Sequence, residues 1–576
     1  MLNGFLKRKY TLKVITFFSF FILFLSKNFS FAQGEQFSID YNLDYNIGLN
    51  GEASVMHEAV ITNLQNDAIP TNYSFSSKQL EIYDVSALSN DKEVNPKVDK
   101  LGDSTKVVVT IRDHAIGKGR QNKIILKYKT KSVASRSGSI WNLYLPKIQV
   151  PEKTTLYNIK ISVPKSFGEK IYISPTPVIE REENDLNTYY FTNEVLKTAG
   201  ITAAFGEYQP VNFRLKYQIQ NNSILPSVKK VALPPDIKKS QSVSYKKIDP
   251  RPDKIKVDGD GNLIAHYVLK PKKNLEIEVI GTAKLYGEQI NPDFGRSFNE
   301  IPKDIVKNYI KPKKYWEIGS PYIKKIVQEL KDENISVTKS AQKIYDFIVQ
   351  NIKYDFDAAS NGLVERVGAE AVVTQEGKWT CMEFTDLFIT LARASGIPAR
   401  EVNGYAFTPD DNSKPLSISF SKGDFLHSWA EFYDPFYGWV QVDPTWGATS
   451  GVDYFSKLDT GHFAFVIKGL SSEYPYPAGS YRFSEDDKLI EVDLSKNMSE
   501  EYFMPAVSIK KVTNLNPVQI IKGRIKLKIE NTGDITLYNL DGKILPTRSN
   551  IYLYVDKNSN IVHFEDIDGN KYQANF

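Results

Sequence analysis

One cysteine, Cys381, occurs in 576 residues, so no disulfide can form within the chain. Every unit it folds into must be held by buried apolar surface alone. The constraint is sharper because the N-terminus reads as an export signal. Lys7, Arg8, Lys9 and Lys13 precede the apolar run "VITFFSFFILFL" from Val14 to Leu25, and Ser30 and Ala32 supply small residues before a cleavage expected after Ala32. The run is shorter than the ~20 residues a membrane-spanning helix needs, so cleavage is expected over retention as an anchor. No second apolar run of spanning length follows. A thiol that cannot pair in an exported chain is either a buried apolar residue or a group that reacts.

The net charge of +5 belongs to the leader, where Lys7, Arg8, Lys9, Lys13 and Lys27 face no acid. The remainder is neutral and offers no electrostatic case for nucleic acid. Hydrophobic residues make up 41% and aromatics 12%, ample for packed cores. Six histidines, none at ligand spacing with carboxylates, argue against a metal, and no cofactor motif is present. Domains run to ~100–200 residues each, so several are expected.

Residues 33–208 and 209–286 alternate apolar and polar positions in short β-branched runs such as "KVVVTIRDH" and "VNFRLKYQIQN", the period of half-buried strands. "DGDGN" (Asp258 to Asn262) marks a hairpin turn, and the Pro- and Lys-rich "LPPDIKKSQSVSYKKIDPRPDKIKVD" reads as extended edge or loop material. Near Pro302 the period changes to that of helices: Ile323, Ile326, Val327 and Leu330, then Ala341, Ile344, Tyr345, Ile348, Val349 and Ile352. A mixed α+β unit is expected over 287–483 and a further β unit over 484–576. The flanking β units read as sandwich-like modules.

Cys381 sits in a marked context. Thr380 and Glu383 spell the T-x-x-E of a capping box before the helical face of Phe384, Leu387, Phe388, Leu391 and Ala392, and Gly396 and Pro398 close the helix. Cys381 is then the first helical residue, where backbone N–H groups and the dipole favour an anion, and a thiolate is one. In "HSWAEFYDPFYGWVQVD", alternation puts His427, Trp429, Glu431 and Tyr433 on one face, and Trp439, Gln441 and Asp443 on another. A hairpin with an odd number of loop residues brings the two sets to the same side, with His427 opposite Asp443 or one diagonal step away. An even loop separates them. The expected set is Cys381 as nucleophile, His427 as base and acid, and Asp443 as the group orienting the imidazole. Glu383 reads as a cap, Asp386 as a surface or secondary hydrogen-bonding residue, Tyr354 as core and His462 as a strand residue near the cleft.

Three blocks, "KIYDFIVQNIKYDFD", "GKWTCMEFTDLFITLARASGIPAREVNGY" and "HSWAEFYDPFYGWVQVDPTWG", resemble in order the transglutaminase-like superfamily, a branch of the papain-like thiol enzymes. The resemblance implies a papain-like core, and its catalytic positions fall on Cys381, His427 and Asp443. The usual Gly-x-Cys is altered by Trp379 and Thr380. Acyl transfer is the implied chemistry, through a thioester on Cys381. Water as acceptor makes a peptidase or amidase, which is favoured; a lysine amine makes a cross-link; a non-catalytic surface scaffold is the third reading. Trp379, Trp429 and Trp446 are candidates for substrate binding. The partner expected is a protein or peptide substrate at the cell surface, with no nucleic acid and no membrane beyond the leader.

Overall fold

The computed structural model describes residues 36–575, apart from 146–153 (bar residue 154, described, with 155 again outside), 408–413, 496–502, 539–543, 556–560, 566–570 and several shorter stretches. The export signal and its cleavage point lie outside the described residues. Among the described residues, no helix is long and apolar enough to cross a membrane.

The molecule is organised around the helix Cys381–Ala394. Its apolar face is buried as the periodicity requires, but Thr385, Asp386 and Thr390 are buried as well. The helix is therefore covered on all sides. The helices Pro321–Leu330, Val337–Asn351 and Ala369–Thr374 flank it, and an antiparallel sheet lies against it. The sheet runs Ile418–Ser421, Asp424–Asp434, Ala399–Ala406, His462–Lys468, with Gly438–Val442 added beside Asp424–Asp434. Every residue of His462–Lys468 is buried, and all but two of Asp424–Asp434. A strand that loses its polar-out alternation has both faces covered. Ala430 and Phe432 join the core of the central helix, while Leu426, Phe463 and Phe465 join the core of the β unit that precedes it in sequence.

Those preceding units are almost wholly β, the first also holding the short helix Asn193–Leu196. Residues 37–205 form an eight-stranded sheet, in which the first strand Phe37–Ile47 pairs parallel to Tyr157–Pro164, with a four-stranded and a three-stranded sheet beside it. Strands such as Ala53–Asn63 bury every second residue, as their sequence alternation demands. The next unit holds the sheet Gln241–Asp249, Lys273–Leu285, Gln209–Asn221, Ile490–Leu494 and a three-stranded partner. The Pro- and Lys-rich stretch supplies two edge strands here, Gln241–Asp249 and Lys254–Val257, and "DGDGN" turns the hairpin after the latter.

One boundary moves. Strand Ile490–Leu494, which sequence places at the start of the C-terminal unit, pairs antiparallel with Gln209–Asn221. The chain thus returns from the central unit to complete the sheet that precedes it, a non-local pairing that no local pattern announces. The C-terminal unit proper is the five-stranded sheet from Val507–Val512 to Lys571–Asn575.

Phe463, on a strand of the central sheet, packs into the core of the preceding β unit, its ring 5.3 Å from that of Phe213. We expect Phe463→Ala to cost about 3–5 kcal/mol, the range for truncating a buried aromatic. Thermal unfolding followed by tryptophan fluorescence should show a single lowered transition for the central unit and its β neighbour. Two separate transitions, with the β unit unchanged, would contradict a shared core.

Candidate active site

Cys381 opens its helix as the capping box requires. Thr380 Oγ1 donates to Glu383 Oε2 at 2.7 Å, and the Thr380 N–H donates to the same carboxylate at 3.2 Å. The thiol is nevertheless fully buried. A first helical position is ordinarily half-open; here the helix is internal, and the neighbouring elements close over its start.

The hairpin meets the odd-loop condition. Tyr433 pairs with Trp439 and Asp434 with Gly438, leaving Pro435, Phe436 and Tyr437 as the loop. Continuing the register sets Trp429 across from Asp443, with His427 one diagonal step away. His427 Nε2 donates to Asp443 Oδ2 at 2.9 Å. The other ring nitrogen, Nδ1, is buried without a hydrogen bond of good geometry, yet the ring still responds to the Cys381 side chain. Burial alone would depress the imidazole's proton affinity. The charge and hydrogen bond of Asp443, with a contribution from Cys381, outweigh it and raise the His427 pKa from 6.5 to about 9. For Asp443, burial pushes upward, but the charge and hydrogen bond of His427, helped by His462, pull the carboxyl from 3.8 down to about 2.

Asp443 has a second task. Its Oδ1 accepts from the backbone N–H groups of Thr445 (2.9 Å) and Trp446 (3.0 Å), capping the helix Pro444–Ser450. One oxygen thus caps the following helix and the other accepts from the imidazole.

Sequence reasoning undervalued two residues. His462 Nε2 lies 3.4 Å from Asp443 Oδ2, and its Nδ1 lies 2.8 Å from Asp459 Oδ1. Burial opposes protonation of His462, but Asp459 and then Asp443 more than offset it and raise its pKa. Asp459 also accepts from the Tyr454 hydroxyl at 2.7 Å. A chain of buried polar groups therefore runs His427, Asp443, His462, Asp459. The signal for it is the pair Asp459 and His462 three residues apart, too common a spacing to stand out. His427, Asp443 and His462 each offer a ligand atom within 4.8 Å of the others, but the hydrogen bonds between them already use Nε2 of both rings and the shared oxygen.

The tryptophans divide. Trp446 stacks on His427 with centroids 4.9 Å apart, Trp429 lies 6.2 Å from the same ring, and both are fully buried. Trp429 Nε1 donates to Gln441 Oε1 across the hairpin at 2.8 Å. They wall the imidazole in. Trp379, two residues before Cys381, is half-buried and tied by its backbone to Lys353 and Asp355. Asp386 is not a surface residue: it is fully buried, accepts from Trp316 Nε1 at 2.8 Å and is ion-paired with Arg366. Tyr354 is buried against Phe356 and Phe384.

The model of the transglutaminase-like superfamily matches residues 324–444, a span that holds Cys381, His427 and Asp443 and stops short of Asp459 and His462. Residues 324–444 are a transglutaminase-like core. An uncharacterized protein of Haemophilus influenzae is 31% identical over 169 residues, 25% of this chain and 42% of its own length. The uncharacterized protein YebA of Bacillus subtilis is 37% identical over 79 residues, 13% of this chain and 11% of its own. The chain thus spans less than half the length of either relative. Among solved structures, one from Cytophaga hutchinsonii described as a "Putative Cysteine Protease" aligns at 16% identity and TM-score 0.32, covering 50% of this chain and 99% of that one.

The site's electrostatics carry a pH signature. The raised His427 pKa means that its protonated form is stabilised in the folded transglutaminase-like core. That contribution is complete below pH 6.5 and is lost as pH rises through about 9. The lowered Asp443 pKa gives the other edge, complete above pH 3.8 and lost as pH falls through about 2. We expect the difference in Tm between wild type and His427→Gln to be largest near pH 5–6 and to shrink steadily toward pH 9.5. A difference independent of pH over that range would contradict the pairing.

Proposed function

We propose that the protein is an exported thiol enzyme that transfers acyl groups from peptide or glutamine-type amides, with hydrolysis as the main outcome. The observation that carries this reading is His427, held by Asp443 through one nitrogen and influenced by Cys381 on a second side, at the start of a helix. Cys381 Sγ, its proton passed to His427, attacks the amide carbonyl carbon, and a C–S bond forms as the C=O π pair moves onto the oxygen. The backbone N–H of Cys381 serves as one donor to the oxygen that gains charge. His427 gives a proton to the departing nitrogen as the C–N bond breaks, leaving a thioester. Water, deprotonated by His427, then attacks the thioester and releases the acid and the thiol. Asp443 stays ionised throughout and fixes the ring. Of the three candidate tryptophans Trp379 retains solvent exposure while Trp429 and Trp446 do not, and we read it as the one that meets the substrate.

Export rests on the charged and apolar leader, and we read the flanking β units as sandwich-like modules that hold a protein substrate at the cell surface. N-terminal sequencing of the exported chain should begin at Gln33; a chain beginning at Met1 would mean retention as an anchor.

A second reading, glutamine-to-lysine cross-linking, is favoured by one feature: Cys381, His427 and Asp443 are all closed to solvent, a setting that disfavours water as acceptor. Intact-mass spectrometry decides. A test protein bearing glutamine and lysine is incubated with the exported chain and a small primary amine, with Cys381→Ala as control. Fragments or deamidation support hydrolysis, and amine mass gained with loss of ammonia supports cross-linking. No change, together with a Cys381 inert to alkylation, leaves the scaffold reading. Where activity is found, Asp443→Asn should lower kcat by about 10²–10⁴-fold, the range for lost acid–base assistance.

A further inference from the structure

A cavity of about 750 Å³ lies where the N-terminal β unit meets the transglutaminase-like core. That is the size range of small-ligand sites, about 300–1,000 Å³. Its walls come from distant parts of the chain, including Tyr172 from the first unit, Tyr405 and Phe407 from the central sheet, and Tyr454 and Lys457 beyond the last helix of the core. The cavity is aromatic with a cationic floor.

Lys457 is the unusual member. Its side chain is buried, yet among the described residues no hydrogen bond or ion pair is made by its ammonium, which rests 4.1 Å from the Tyr172 ring centroid and 4.8 Å from that of Tyr454. Burial pushes its pKa from 10.5 to about 7; Asp459 opposes the shift and Lys414 adds to it. Lys414 also lines the cavity, 5.4 Å from the Tyr454 ring, with Arg136 from the first unit. Among the described residues the carboxylate lining the cavity, Asp459, is already engaged by His462, the Tyr454 hydroxyl and the Gly461 N–H, with Lys414 3.8 Å away, and Asp453 also favours the charged form of Lys457. A buried ammonium with no hydrogen-bond acceptor among the described residues is costly, and an anionic ligand in the cavity would supply one.

We propose that this cavity binds a carboxylate-ended peptide, with Lys457 and Lys414 holding the carboxylate and the aromatic walls holding the adjoining side chain. The assignment of a peptide rests on the acyl-transfer reading; the assignment of an anion with an apolar body does not. The site stands directly behind the polar chain of the core, because Asp459 lines the cavity and also holds the His462 that contacts Asp443.

The test is calorimetric binding at pH 6 to the exported chain carrying Cys381→Ala, so that neither turnover nor its absence affects the readout. The probes are N-acetyl-Gly-Gly-Phe as the free acid, the same peptide as its C-terminal amide, and inorganic phosphate. We expect the acid to bind at least tenfold more tightly than the amide. That preference should disappear in Lys457→Met and shrink in Lys414→Gln, a partly exposed position where folding is not at stake. Equal binding of acid and amide, absence of binding by both, or a preference that survives Lys457→Met would overturn the proposal. So would phosphate displacing the acid at comparable concentration, which would make the cavity a general anion hole.

Discussion

The Asp443 carboxylate is the group on which the site depends. A buried charge is tolerated only when paired and fully hydrogen-bonded, and Asp443 meets that condition with two imidazoles on one oxygen and two backbone N–H groups on the other. The arrangement locks two things at once: where the helix Pro444–Ser450 begins, and which way the His427 ring faces. Orientation of the base is thus tied to the backbone, because the carboxylate that accepts from the ring is itself fixed by the helix cap on its other oxygen. Trp446, the third residue of that helix, stacks on the ring it helps to fix.

The remainder of the core keeps the thiol end and the imidazole end in register. Arg393, near the end of the Cys381 helix, donates to the Ala399, Lys311 and Gly469 carbonyls and lies over Trp316. Arg400, at the start of the next strand, pairs with Glu431 on the His427 strand. The helix bearing the nucleophile and the strand bearing the base are therefore joined by buried guanidinium contacts as well as by apolar packing. On the other side the preceding β unit shares its core with the same sheet, which is why strands with functional residues at their ends are buried on both faces.

Much of this was legible because it is local. The T-x-x-E box sets the helix start within four residues, the odd loop of the "DPFYG" hairpin sets the diagonal between His427 and Asp443, 16 positions apart, and helical periodicity marks Pro321–Leu330 and Val337–Asn351. The features that were not legible are those that depend on distant chain. His462 reaches Asp443 only because its strand pairs with Ala399–Ala406. Ile490–Leu494 crosses back to a strand nearly three hundred residues earlier. Of the two readings of Asp386, surface or secondary hydrogen-bonding, the second holds, and what the sequence does not show is that Arg366 and Trp316 from other segments compensate its burial. The complete burial of Cys381 has the same origin, since only the assembled core closes over the helix start.

The account turns on Cys381 and Asp443 acting together on one imidazole, and a titration of His427 by NMR tests that directly. Chemical shifts of its ring protons should follow a midpoint near pH 9 in the wild type. The midpoint should move lower in Cys381→Ala, and to 6.5 or below in Asp443→Asn, where burial is no longer offset. A wild-type midpoint near 6.5, or one indifferent to both substitutions, would mean that the three side chains do not form one unit and would contradict the account.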